Sequence, residues 1–372
     1  MRRTTIIFSW LLWFWAAALD ASEGSWAELG TEIRARGLDP EQVTIPGRLT
    51  DEMREWVHSL VPPGTPEDEA LRRLLGALID PTGFELVYDA TYTGTAGEVF
   101  ATRRANCLAF THLFVGLTRE LGIPTYYVRW AIGGRARREG DLVLVSGHVT
   151  AGFGYGRNRQ LLEFGAVSGL ETFNSHRISD LDATALHYAN RSAELLQVGR
   201  VSEAVSKAEI STRLNPSLPD GWVNLGVARR RSGDPAGAEE AYRRATVADP
   251  DHLPAYHNLM TLYELQGRKD AAQEIFTLLD RRDNHNPFIL LELGDESLQS
   301  DRLDEAGRFY RKALRFDRSL AETRAAWGTV ALRQGEVERA RKWLRRAQAV
   351  DPQESRTRAL TLELSQLDDS SE

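Results

Sequence analysis

The sequence contains a single cysteine, Cys107, in 372 residues. A lone cysteine cannot form an internal disulfide, so no intrachain cross-link staples this fold. Basic surplus is missing too: 46 Lys and Arg stand against 53 Asp and Glu, for a net charge of −7. That balance leaves no basic footprint, and nucleic acid is not an expected partner. Arginine-rich stretches such as Arg229-Arg230-Arg231 have Glu and Asp nearby and read as solvated helix faces. No group of His, Cys, Asp or Glu has metal-ligand spacing, and no glycine-rich phosphate loop follows a strand. No metal and no cofactor are therefore expected. Gly152-Phe153-Gly154-Tyr155-Gly156 lies at a strand end and opens no helix, so it reads as a bend.

The apolar run that stands out is at the start, in MRRTTIIFSWLLWFWAAALDASEG. Arg2 and Arg3 form a positive region, Ile6 to Leu19 an apolar stretch broken by Ser9, and small residues with Asp20 close it. This order is the secretory-signal pattern, with cleavage expected after Ala18 or Ala21. The stretch is short for a membrane span, which needs roughly 17–25 residues. An uncleaved N-terminal membrane anchor is the alternative. Without a cysteine near the cleavage site, a lipoprotein anchor is excluded. In an exported chain an unpaired thiol is a liability unless it is buried or used.

From about Leu186 the chain repeats itself. Gly199, Gly233, Gly267 and Gly335 keep a 34-residue register, with Asp301 at the position that lacks glycine. Ala204, Ala238, Ala272, Ala306 and Ala340 hold the same spacing, and the last four have a large residue four positions on: Tyr242, Phe276, Tyr310 and Leu344. Trp222-x-x-Leu225-Gly226 and Tyr256-x-x-Leu259 mark first helices, and Pro216, Pro250 and Pro352 close repeats. The small alanine lets two antiparallel helices approach, the glycine ends the first and the proline stops the second. No single pair buries its apolar face, so the units must stack. This pattern resembles the tetratricopeptide repeat. Five units fit between about 186 and 352, the first degenerate, followed by a capping helix over Thr357 to Leu367. The resemblance implies an all-α solenoid with a concave face that takes a protein partner.

Before the repeats, Trp26 to Gly37, a segment after Leu49 and residues 67–79 have helical patterning, the last two on either side of a Pro62-Pro63-Gly64 loop. Thr95 and Glu98 have the spacing of a capping box. Asn106 suits the N-cap of a further helix, which places Cys107 in its first turn. Phe110, Phe114, Leu117 and Leu121 form its apolar stripe, and Gly122-Ile123-Pro124 ends it. Three β-rich segments follow, at 125–132, 142–154 and 160–167, with a polar turn expected over Gly133 to Gly140.

A thiol at a helix N-terminus lies near the positive end of the helix dipole and among free N–H groups, which favour the thiolate. The expected consequence is a lowered thiol pKa. A nucleophile needs a base, and the base an orienting group. His148 lies on the strand face opposite Val143, Val145 and Val149, the more polar side if the valines enter the core. Glu163 is the acid within the next strand, costly there unless paired. Each residue has a plainer explanation: Cys107 as core packing, His148 as a satisfied strand histidine, Glu163 as an ion pair with Arg129 or Arg159. His112 is rotated well off the Cys107 face of the helix and makes a poor base.

Thr95-Ala96-x-Glu98-Val99-Phe100, Arg103-Arg104-x-Asn106-Cys107 and Arg119-Glu120-Leu121-Gly122-Ile123-Pro124, with histidine and acid on successive strands, resemble the transglutaminase-like superfamily. The resemblance implies Cys107 as nucleophile, His148 as general base and acid, and Glu163 as orienting carboxylate. The family more usually has Asp at the third position and a small residue before the cysteine, where this chain has Glu163 and Asn106.

The expected architecture is thus an α+β papain- or transglutaminase-like domain, with helices on an antiparallel sheet, followed by an all-α repeat solenoid. Its expected bounds are 1–21 for the signal or anchor, 22–185 for the thiol domain, 186–352 for the repeats and 353–372 for the cap and tail. The expected function is an exported thiol enzyme, periplasmic or secreted, or membrane-anchored facing the periplasm. It would hydrolyse or transfer an amide or peptide acyl group through a Cys107 thioester, acting on a peptide or protein substrate. The alternative is a non-catalytic envelope adaptor that binds proteins through the repeats.

Overall fold

The computed structural model describes residues 26–80, 83–139, 142–154, 160–162, 175–281 and 286–369. The expected leader at 1–21 and the expected carboxylate Glu163 lie outside the described residues. Two compact units form: residues up to 132 with 147–250, and residues 133–146 with those from 251 onward.

The chain begins with α1 (residues 26–35), α2 (Asp51–Leu60), α3 (Glu67–Ile79), β1 (Val87–Tyr88), α4 (Ala96–Thr102) and β2 (Arg104–Ala105). The helix α5 (Cys107–Glu120) leads into β3 (Thr125–Glu139), β4 (Leu142–Phe153), β5 (Gln160–Leu162) and β6 (Ser175–Ile178). Short polar side chains start the helices where the spacing predicts. Thr50 accepts the Met53 N–H at α2. Thr95 and Glu98 cap each other's backbone at α4, and Asn106 accepts the Ala109 N–H at α5. Each satisfies a donor that a helix start leaves open.

Helix α5 is the centre of the N-terminal unit. Leu108, Ala109, Phe110, Leu113, Phe114, Val115 and Leu117 are all buried, which is burial around the whole helix rather than along one stripe. The reason is that α2, α4, β2 and α6 all contact it, so it has no solvent face to spend on polar residues. The sheet has the order β5-β4-β3-β6, with β1 and β2 a separate parallel pair. β6 runs antiparallel to β3, with Tyr127 opposite Ile178 and Arg129 opposite His176. β5 runs antiparallel to β4, with Ala151 opposite Leu162. The polar turn expected over Gly133 to Gly140 is instead strand as far as Glu139. A neighbouring strand of 12 residues, β4, supplies a hydrogen-bonding edge that outweighs the local turn signal.

The repeat helices are α6 (Asp180–Gln197), α7 (Val201–Leu214), α8 (Pro219–Arg231) and α9 (Pro235–Ala248) in the first unit. The second unit has α10 (Leu253–Leu265), α11 (Lys269–Arg281), α12 (Pro287–Gln299), α13 (Leu303–Phe316), α14 (Ala321–Arg333), α15 (Val337–Gln348) and α16 (Ser355–Asp369). Consecutive helices pack as pairs, and α16 covers α14 and α15. Within a pair, small meets large: a Cβ on Gly294 would lie 2.3 Å from the Tyr310 ring, so only glycine lets α12 and α13 close to this distance. The turn after each first helix is left-handed. Gly199, Gly233, Gly267 and Gly335 have φ between 70° and 83°, and Asp301 follows them at 57°. At Asp301 the Arg302 N–H reaches back to the Ser297 carbonyl at 2.8 Å, the same closure that Asp234 makes on Arg229 at 2.9 Å.

Helix α6 belongs to both architectures in the first unit. The expected boundary at 185/186 falls inside it. Leu181, Ala185, Leu186 and Tyr188 join the same core as Phe110 and Phe114. The Tyr188 hydroxyl accepts the Thr44 N–H at 2.8 Å, and Arg119 grips Asp180 with two bonds of 2.6 and 2.9 Å. On its other side, Ser211 of α7 donates to the Ala185 carbonyl and Asn224 of α8 to the Ala189 carbonyl, both at 2.8 Å.

Candidate active site around Cys107

Cys107 is the first residue of α5 and is half-buried. Three backbone N–H groups, those of Val149, Leu108 and Cys107 itself, act on its sulfur. Two are the open donors of the helix start, and the third comes from β4. They favour the thiolate, as the helix-start position predicts, but burial is the larger effect and pushes the Cys107 thiol above its ordinary value. The expected lowering is therefore corrected. The cause is desolvation: the sequence places the thiol at a helix end, and the fold then covers that end with a strand.

Thr111, one turn into α5, locks this arrangement. Its hydroxyl donates to the Cys107 carbonyl at 2.7 Å and lies 3.3 Å from the Val149 carbonyl. The start of α5 and the His148–Val149 step of β4 are thereby held together. Val149 and Ala151 enter the core. His148 and Thr150, on the alternate face, are buried as well, at 6% and 1% exposure. His148 thus shares its face with Thr150, as the alternation predicts, and Trp130 of β3 packs on that face. The Trp130 ring lies 6.4 Å from the His148 ring, and its indole N–H is 3.3 Å from the Thr150 hydroxyl. The structure brings the backbone of the His148 strand to Cys107; Glu163 lies outside the described residues.

The cap of α5 is itself held. Asn106 accepts the Ala109 N–H at 2.9 Å and donates through its amide to the Thr93 hydroxyl at 2.6 Å. The Asn106 N–H donates to the Tyr92 carbonyl at 3.1 Å. Asparagine before the cysteine, a departure from the family pattern, therefore has a structural role in this chain. Thr93 and Thr111 were not singled out by sequence reasoning. An i+4 threonine in a helix is an ordinary surface feature, and only its contact with β4 gives it meaning.

His112 is buried in α5 with its Nδ1 3.0 Å from the Tyr127 hydroxyl, away from the thiol as the helical rotation predicts. The His187 ring of α6 stands 5.6 Å from it, edge to face. Burial holds His112 well below its ordinary pKa and lowers His187 to about 3. His176 is exposed on β6. Arg129, a plainer partner for Glu163 on sequence grounds, pairs with Asp220 at 2.8 Å. Among the described residues no group of three His, Cys, Asp or Glu side chains is arranged to hold a metal ion, and no helix is long and apolar enough to cross a membrane.

A cysteine at a helix start against an antiparallel sheet, followed by paired helices, defines an α+β domain joined to a helical repeat array. Comparison with known families agrees. Residues 54–153 match the transglutaminase-like superfamily, and residues 192–252 and 229–288 match tetratricopeptide repeat families. The chain thus carries a transglutaminase-like domain followed by tetratricopeptide repeats. Part of it is 37% identical over 81 residues to a cellulose synthase operon protein C of Xanthomonas axonopodis pv. citri, 22% of this chain and 5% of that one. It is also 36% identical over 78 residues to an Hsp70-Hsp90 organizing protein of Triticum aestivum, 21% of this chain and 13% of that one. The chain therefore spans a small fraction of these relatives. A solved structure of Pseudomonas aeruginosa pilF aligns with a TM-score of 0.45 at 22% identity, over 51% of this chain and 86% of that one.

Proposed function

We propose that the protein is an exported thiol enzyme that breaks an amide or peptide bond through an acyl-Cys107 intermediate, with the repeats holding a protein substrate or partner. The observation that supports this most is the convergence of the Cys107, Leu108 and Val149 N–H groups on one sulfur, since these donors favour the thiolate form that attacks a carbonyl carbon. Because burial raises the thiol pKa, the resting group is a neutral thiol rather than a preformed ion pair. His148 takes its proton as the sulfur attacks the carbonyl carbon. The S–C bond forms and the carbonyl electrons move to oxygen. Collapse then breaks the C–N bond, and His148 returns the proton to the leaving amine. Water, or a second amine, next attacks the thioester, and the sulfur leaves and regains its proton. In this scheme Glu163 orients His148, the role the family resemblance implies.

A second reading, a non-catalytic adaptor in the cell envelope, is favoured by the same burial of Cys107 and by the match of the repeats to protein-binding families. Acylation with p-nitrophenyl acetate separates the two. The enzyme reading expects a burst of p-nitrophenolate equal to one acetyl group on Cys107 in the folded protein, absent in Cys107→Ala and much slower in His148→Ala. Labelling that occurs only after unfolding would leave the adaptor.

A further inference from the structure

Glu194, near the end of α6, is removed from Cys107 by 87 positions in sequence but by few bonds in space. Its Oε1 accepts the Thr93 N–H at 2.6 Å. The Thr93 hydroxyl accepts the Asn106 amide at 2.6 Å, and Asn106 caps the helix that begins at Cys107. Thr93 is 1% exposed and Asn106 7%, so water does not replace these partners readily. On the outer side, Arg191 donates to the other Glu194 oxygen at 2.7 Å. Glu194 itself lies inside the segment that matches the tetratricopeptide repeat, 192–252. A repeat helix has no need of a carboxylate turned toward the neighbouring fold. Burying one is costly unless hydrogen bonds compensate, and here burial does raise its pKa despite them.

We propose that Glu194 is a positioning residue for the Cys107 site, acting through Thr93 and Asn106, so that the seating of the first repeat helix sets the geometry of the thiol. This rests on the enzyme reading above and deepens it: a ligand that shifts α6 would tighten or loosen the cap under Cys107. Asn224 and Arg231 of α8 also bond α6 carbonyls, at Ala189 and Leu196, so a movement in the second helical pair has a path to α6.

The test compares wild type, Glu194→Ala, Glu194→Gln and Thr93→Val in the full chain. Two quantities are read: the rate and pH profile of Cys107 acetylation by p-nitrophenyl acetate, and hydrogen exchange at the Ala109 amide. Glu194→Ala and Thr93→Val should each slow acetylation about five- to tenfold, the scale of one lost hydrogen bond, and move the profile to higher pH. Ala109 exchange should rise by a similar factor. Glu194→Gln keeps an oxygen for the Thr93 N–H and should stay within about twofold of wild type. A Glu194→Ala protein that melts earlier while its acetylation profile and Ala109 exchange match wild type would overturn the inference, because Glu194 would then be a brace only. If wild type itself is never acetylated, the enzyme reading fails. Ala109 exchange in Glu194→Ala still decides whether Glu194 holds the cap: unchanged exchange overturns the link, and faster exchange sustains it.

Discussion

Each unit crowds one set of titratable groups, histidines in the first and glutamates in the second. In the N-terminal unit two bases are crowded: His112 and His187 share the core beside Tyr127, and burial, with Arg191 and Lys207 acting on His187, keeps both neutral. In the second unit they are acids. Partial desolvation of Glu264, then the charge of Glu296 and a hydrogen bond with it, and the charge of Glu292, raise its pKa to about 7. Each arrangement disfavours charge, so the two sets of groups should respond to pH in opposite directions. The lesson is that a unique core and a repeated one place their polar strain differently. The first sets it inside, between helices that meet once. The second sets it between α10 and α12, where glutamates of the two helices approach each other.

Acid should expose the largest difference. His187 titrates near its ordinary 6.5 when unfolded and near 3 when folded. Between those values the unfolded chain binds a proton that the folded chain refuses, so stability rises with pH and is lost as pH falls from 6.5 toward 3. His187 alone should lower the folding constant of the first unit by up to about tenfold per pH unit in that window, with His112 adding to the drop. Hydrogen exchange of the α5 amides reads it, and His187→Phe should make the dependence shallower, leaving the part due to His112. An equal slope in both proteins would remove His187 as the cause.

The second unit should show the reverse, more weakly. Glu264 has a folded pKa above its ordinary 4.5, so its favourable protonated form is present below 4.5 and lost as pH rises through about 7. The side chain retains exposure, and solvent screens the effect. Glu264→Gln should therefore raise the melting midpoint of the second unit at pH 8 by a few degrees at most, and leave it unchanged at pH 4. A gain of the same size at both values would point to packing instead of charge. The smallest change sharpens the repeat itself. Asp301 takes the left-handed turn that its counterparts give to glycine, and Asp301→Gly should stabilise the second unit by about 0.5–1 kcal/mol, measured by urea unfolding. No gain would mean that the aspartate suits this turn as well as glycine does.

Legibility followed the range of the interactions. The turn at Asp301 was readable because the 34-residue register predicts it without tertiary context, and the caps at Thr95 and Asn106 were readable because each acts within three residues of itself. The strand continuing through Gly133-Gly134 was not, because its partner strand overrides the local turn signal. Nor was the four-residue strand β6, whose pairing with β3 spans some fifty residues. At the site, Cys107 at a helix start and His148 on a strand were legible. The roles of Thr93, Thr111, Trp130 and Glu194 were not, since none carries a local pattern that distinguishes it.

By itself the sequence determined the two architectures, the helix that begins at the lone cysteine and the alternation that puts His148 and Val149 on opposite faces. Those depend on periodicity, capping and composition, which act over a few residues. Only the tertiary structure decided that burial outweighs the helix start at the Cys107 thiol, that His148 lies under Trp130, and that α6 serves both the core and the repeats. Desolvation and long-range hydrogen bonds depend on which segments meet in space. Glu194 and Thr93 meet across 101 residues, a separation that no local pattern encodes.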